Sequence, residues 1–393
     1  MTAPGDDPSR FVSRRLKSVP ASGIRRFFDL LSTIDDVISL GVGEPDYVTP
    51  EPIRRAAVES IERGDTHYTS NYGLLELREK LAAHIERLYG VSYDPATEIV
   101  ITSGSSEALD VTLRAIIDPG DEVLCADPSY VAYQPATVMA GGEFVPVPTY
   151  AANDFRLLPA DVEAAVTPRS RALLLGYPAN PTGATMSRED LLAVAAVAGR
   201  HDLAVISDEL YDRMTYGGQH TCFASLPGMR ARTVVIGGFS KAYAMTGWRL
   251  GWVCAPARLA EAVMKVHQYV MMSAPTAAQY AGIAALDHGE SFVAEMVNEY
   301  DRRRRLIVDG FRAIGLPTFE PRGAFYAFPS IAATGLDSTT FSESLLAEER
   351  VAVVPGNAFG AGGEGHVRAC YASGYEQIER ALERIGRFVQ RRR

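Results

Sequence analysis

Short apolar runs alternate with helix-length stretches through the middle of the chain, and this alternation limits the fold more than any other feature. "EIVITSG" (98–104) reads as a buried strand ending in a turn, and "SSEALDVTLRAI" (105–116) follows with apolar residues at helical spacing. "DEVLCADP", "RALLLGYP", "LAVISDE", "TVVIGGFS" and "LGWVCAP" are further β-rich runs bounded by Gly, Pro or polar residues. Apolar strands separated by helical patterns predict an α/β fold with a mostly parallel sheet covered on both faces. Ligands of such sheets bind beyond the C-terminal strand ends. Here those ends carry Ser103-Gly104-Ser105, Asp127-Pro128, Tyr177-Pro178, Ser207-Asp208 and Ser240-Lys241. The polar residues therefore gather where a site is expected. After about residue 285 the texture changes to a long helical stretch, three strand-like runs and a final helix. The expected division is an N-terminal arm with part of the small domain (1–45), a large domain (46–285) and a smaller α+β domain (286–393).

The chain has 393 residues, of which 47% are hydrophobic and 22% charged, the balance of a globular protein with a large core. Its net charge of -9 argues against a nucleic-acid binder. The basic runs "DRRRRL" (301–306) and "QRRR" at the C-terminus read as solvated helix faces or ends. Four scattered cysteines show no CxxC or zinc-like spacing, so no metal is expected and a reducing cytoplasm is the default. The first twenty residues lack the apolar core of a signal peptide, and no apolar run has the length of a membrane span.

Several residues stand out chemically. The turn "TSGSSEA" offers free backbone N–H groups and the hydroxyls of Ser105 and Ser106 to an anion, or simply caps a helix with serine. No GxGxxG fingerprint follows a strand and no Walker-type loop occurs, so an anion here belongs to neither a dinucleotide nor a Walker-type nucleotide. Asp208 ends an apolar run, where a carboxylate needs a cation, a donor or a helix N-terminus. Its neighbour Glu209 is expected on the opposite face. Lys241 lies among apolar and aromatic residues; it either snorkels or serves as a desolvated nucleophile toward carbonyls. Arg249 reads either as an anion ligand or as a surface arginine stacked on Trp248 or Trp252. Arg368, in a strand-like run, needs an anion. One ligand asks for all of these groups: a phosphorylated pyridine aldehyde, with a phosphate, a ring nitrogen and a carbonyl.

"GVGEPD", "YTSNYGLLELR", "TSGSSEAL", "DPSYVAY", "YPANPTG", "SDELY", "FSKAYAMTGWRLGW" and "VRACYA" occur in that order over almost the whole chain. In this the chain resembles the class I/II, fold-type I aminotransferases, close to the aspartate and aromatic enzymes. The resemblance implies a large domain with a mostly parallel seven-stranded sheet, a smaller α+β domain, and pyridoxal 5'-phosphate (PLP) as cofactor. It implies that Lys241 carries PLP as a Schiff base and moves the substrate Cα proton. Asp208 would pair with the ring nitrogen, and Asn180 and Tyr211 with the 3'-oxygen. Tyr130 would stack on the ring, and Ser105, Ser106, Ser240 and Arg249 would hold the phosphate. Tyr68 would reach the phosphate of a neighbouring subunit, which implies a homodimer with shared sites. Arg368 would clamp the substrate α-carboxylate, with Gly43 and Asn180 nearby. The implied reaction moves an amino group from an L-amino acid to a 2-oxo acid, 2-oxoglutarate in most of the family, by a ping-pong sequence. Relatives that read a second carboxylate use a lysine where this chain has Ser106, or an arginine in the region matching 268–275, which here has none. Met271 and Met272 in that region imply an adaptable apolar wall and an aromatic or bulky substrate. N-acetyl-diaminopimelate or aspartate transamination and a β-lyase reaction are the alternatives.

Overall fold

A computed structural model of the protein describes residues 8–17, 19 and 36–392, so most of the expected arm lies outside the described residues. Seven strands form the main sheet: β2 (Ile99–Thr102), β3 (Glu122–Asp127), β4 (Glu143–Pro148), β5 (Ser170–Gly176), β6 (Ala204–Asp208), β7 (Thr233–Gly238) and β8 (Gly251–Cys254). They follow β1 (Ile38–Ser39) in the chain and lie in the order β2-β8-β7-β6-β5-β3-β4. The pairings from β7 through β4 are parallel, while β8 runs antiparallel to both neighbours. The reason is local. β7 returns to β8 through residues 239–250 without a crossover helix, and two adjacent strands joined that way must run in opposite directions.

Burial explains the strand composition. Along β5, Leu173 and Leu175 enter the core on one face of the sheet, while Ala172 and Leu174 enter the core on the other. Period-two alternation therefore yields an unbroken apolar run, because both faces are covered. Each fully buried leucine contributes about 1.5–3 kcal/mol through the area it removes from water. The covering helices carry local signals of their own. Arg188–Arg200 starts from a capping box in which Ser187 Oγ accepts the Asp190 N–H at 3.1 Å and Asp190 Oδ2 accepts the Ser187 N–H at 3.1 Å.

The second group of strands is small. β1 pairs in parallel with β10 (Val351–Ala352), and β11 (Val354–Pro355), β12 (Val367–Cys370) and β9 (Tyr326–Ala327) form an antiparallel sheet. Leu40, Met296, Tyr300, Phe311, Phe325 and Phe388 share its core. The helix Glu290–Ala313 carries the basic run, and half of that run is not the solvated face that was expected. Arg303 and Arg304 are each 8% exposed. Arg303 bonds Asp46 at 2.7 Å and Glu299 at 3.0 Å, and Arg304 bonds Asp301 at 2.8 Å and also Glu320. Asp46 also accepts the Tyr300 hydroxyl at 3.1 Å, so the pair of buried Arg303 and partly exposed Asp46 ties the segment 41–50 to the helix Glu290–Ala313. The four cysteines are buried and unbonded. Among the described residues no helix is long and apolar enough to cross a membrane, and no cluster of three His, Cys, Asp or Glu side chains suits a metal.

Candidate active site

A cavity of about 330 Å³ opens beyond the C-terminal ends of the central strands. Gly43, Ser105, Ser106, Tyr130, Asn180, Asp208, Tyr211, Ser240, Lys241, Arg249 and Arg368 all line it. Tyr68 does not; it is 79% exposed. Met271 and Met272 are likewise exposed and outside the lining.

Two connections build the anion end. The β7–β8 connection carries Ser240, Lys241 and Arg249, and Arg249 takes a left-handed backbone with φ 55°. Arg249 is exposed at the cavity mouth, and its Nη1 donates to Thr246 O at 3.1 Å rather than stacking on Trp248 or Trp252. The β2 turn leads straight into the helix Ser105–Ile116. Gly104, not a serine, is the N-cap, and no side chain caps the helix. The first-turn N–H groups and the Ser105 hydroxyl therefore stay available to the cavity, while the Ser106 hydroxyl meets Tyr130 within it. Gly104 has φ +81°, and a Cβ there would lie 2.6 Å from Arg249 Nη2. Gly104→Ala is thus expected to strain the turn by about 1–3 kcal/mol and to displace Arg249. Thermal melting should fall, and titration with PLP should show weaker binding; unchanged PLP affinity would refute this account of the turn.

Burial sets the electrostatics. Desolvation pulls the Lys241 amine down to about 8. Its Nζ donates to Gly43 O at 2.6 Å and lies 5.9 Å and 5.7 Å from the Tyr211 and Phe325 ring centroids, so it does not snorkel outward. Desolvation raises the Asp208 carboxyl to about 6, opposed by hydrogen bonds from the Tyr133 hydroxyl (2.9 Å) and the Leu210 N–H (3.2 Å). Neither donor is a cation. Glu209 points the other way, bonded to Ser207 Oγ, the Phe223 N–H and His220 Nε2 at 2.9 Å each.

Arg368 is 3% exposed. It donates to Asn180 Oδ1 at 2.9 Å and Gly41 O at 2.6 Å, and its guanidinium lies over the Tyr326 and Phe359 rings. Its buried Nε has no partner, and no carboxylate pairs with it among the described residues. Tyr211 shares a hydrogen bond of 2.7 Å with Tyr326, whose hydroxyl would lie 2.5 Å from a Cβ at position 43. Tyr133 and Tyr326 were missed as lining residues. The Tyr130–Tyr133 spacing in "DPSYVAY" was a signal for the first; nothing local pointed to Tyr326. A roomier cavity of about 560 Å³ shares Pro178 with this one and touches the strand-end residues Tyr177 and Ser207, but none of the residues expected to hold the cofactor or substrate lines it.

The site fits PLP on its own chemistry. A buried guanidinium lacks an anion, a buried carboxylate lacks a cation, a helix start lacks a cap, and burial makes a lysine amine easier to deprotonate. The comparisons agree. The family profile "Aminotransferase class I and II" matches residues 35–385. The chain is 44% identical over 385 residues to the aromatic-amino-acid aminotransferase 2 of Thermococcus litoralis, covering 97% of this chain and 99% of that one. It is 45% identical over 385 residues to an aspartate aminotransferase of Pyrococcus abyssi, with the same coverage. The solved aromatic aminotransferase of Pyrococcus horikoshii superposes with a TM-score of 0.89 at 47% identity, covering 93% of this chain and 99% of that one. The chain therefore belongs to the class I and II aminotransferases, and is a transaminase that uses pyridoxal 5'-phosphate.

Proposed function

We propose that the protein transfers the amino group of an L-amino acid with an aromatic or other bulky side chain to a 2-oxo acid, 2-oxoglutarate by preference, in a ping-pong sequence. One observation carries the reading: a single cavity joins Lys241, Asp208, Arg249 and Arg368. When bound, PLP supplies a carbonyl for amine exchange and a protonated ring that withdraws electrons from the substrate Cα. Ser105, Ser106, Ser240 and Arg249 hold its phosphate, with Tyr68 contributed from the other subunit of a homodimer. Tyr130 packs on the ring face, Asn180 and Tyr211 bond its 3'-oxygen, and Asp208 holds a proton at its nitrogen. Arg368, oriented by Asn180 and Gly41, takes the substrate α-carboxylate. The Lys241 amine would hold the cofactor through its carbonyl carbon and, when free, would take up the substrate Cα proton. Burial favours this chemistry, because a shift from 10.5 to about 8 raises the neutral amine fraction at pH 7 by about two orders of magnitude.

The substrate preference rests on charge. The cations lining the cavity are Lys241, Arg249 and Arg368, and on this reading the cofactor and the α-carboxylate take up all three. No lining cation from this chain then remains for a side-chain carboxylate, while Leu109, Val131 and Tyr326 add apolar wall. The Pyrococcus abyssi relative favours aspartate as the second reading. A panel of tyrosine, phenylalanine, kynurenine, aspartate and N-acetyl-diaminopimelate with 2-oxoglutarate tests the choice. Tyrosine or phenylalanine is expected to show the highest kcat/KM. Preference for aspartate by tenfold or more overturns the aromatic reading. Release of pyruvate and ammonia without an acceptor would make the enzyme a β-lyase. The same reading assigns residues 46–285 to the cofactor-binding domain, residues 286–393 with the first 45 to the smaller one, and the enzyme to the cytoplasm.

A further inference from the structure

We propose that Tyr133 is the positioning residue of Asp208, and that its hydroxyl keeps the shared proton on the cofactor ring nitrogen rather than on the carboxylate. This rests on the reading of Asp208 above. Tyr133 opens the helix Tyr133–Ala140, and its ring sits edge-on to Tyr130 with centroids 5.5 Å apart. It is 4% exposed and donates to Asp208 Oδ2 at 2.9 Å. The backbone makes room for this bond. Gly176 ends β5, and a Cβ there would lie 2.3 Å from the Tyr133 hydroxyl. Any other residue at 176 therefore drives the hydroxyl from its place.

The chemistry follows from proton partition. A carboxylate facing a ring nitrogen shares one proton with it, as N–H⁺···⁻O or as N···H–O. Burial raises the carboxyl and favours the second form. A hydrogen bond donated to the carboxylate stabilises its charge, makes it the weaker base and restores the first form. The Tyr133 phenol suits this task because burial pushes its own ionisation well above the usual range, so it stays a donor. The other titratable groups around Asp208 do not supply this bond. Tyr130 and Cys125 feel its charge, and Glu209 is turned to His220, Ser207 and Phe223.

The test uses holoenzyme reconstituted with PLP labelled with ¹⁵N in the ring, whose chemical shift reports ring protonation. Asp208→Asn sets the neutral-ring limit. Tyr133→Phe is expected to move the shift part of the way toward that limit and to lower kcat about tenfold, the effect of losing one bond to a charged group. Gly176→Ala, which keeps the phenol but displaces it, should move the shift in the same direction. In the Asp208→Asn background, Tyr133→Phe should add nothing. If Asp208→Asn moves the signal and neither Tyr133→Phe nor Gly176→Ala does, the inference fails while the functional reading stands. A Tyr133→Phe shift that persists in the Asp208→Asn background also overturns it. Should Asp208→Asn itself leave the shift unchanged, the role assigned to Asp208 fails, and this inference with it.

Discussion

Lys241→Ala is expected to abolish transamination, lowering kcat by at least about 10⁴-fold, because one group serves as both covalent anchor and proton carrier. The variant should also lose the visible absorbance that the lysine–cofactor bond gives, and borohydride should trap no cofactor on the peptide containing position 241. Its fold should survive. The amine makes a single hydrogen bond, to Gly43 O, and its burial opposes the charge it would carry. Circular dichroism and thermal melting separate lost chemistry from lost structure. A well-folded Lys241→Ala protein with turnover near wild type would remove this residue from the reaction.

Arg368 carries the next largest expected loss. Its guanidinium is buried and held by Asn180 and Gly41, with Nε left unpartnered, so a substrate carboxylate supplies the missing charge. Arg368→Lys keeps the charge but loses the planar fork, and is not a conservative change at such a site. Truncating one partner of a buried charge pair costs about 2–4 kcal/mol, so kcat/KM for amino acids should fall about 30- to 1,000-fold in Arg368→Ala. The PLP spectrum should stay unchanged, and amines without a carboxylate should lose far less. Equal losses for both substrate types would show that Arg368 supports the fold rather than the carboxylate.

The strand–helix alternation makes the sheet legible in the sequence. Polar residues at strand ends marked the region of the site, and the ordered motifs named eleven residues that line one cavity. Other features were not legible. β8 reads like its parallel neighbours, yet the crossover-free connection turns it antiparallel. Ser105 reads as a helix cap, yet Gly104 takes that position and leaves the serine free. Arg303 and Arg304 read as solvated, yet their helix face turns them into the core, where carboxylates hold them. Glu209 was expected away from Asp208, and period-two geometry was enough for that.

The features legible in the chain alone are local. They are the strands, the turns that end them and the residue types at those ends, because backbone preference and hydrophobic period act over a few residues. Tertiary structure decided which buried charges meet a partner and which are left wanting one. Tyr133 reaches Asp208 across 75 positions, and Arg368 reaches Asn180 across 188. The physical reason is desolvation. The free energy of a buried charge depends on every group packed around it, and those groups assemble only when distant parts of the chain come together.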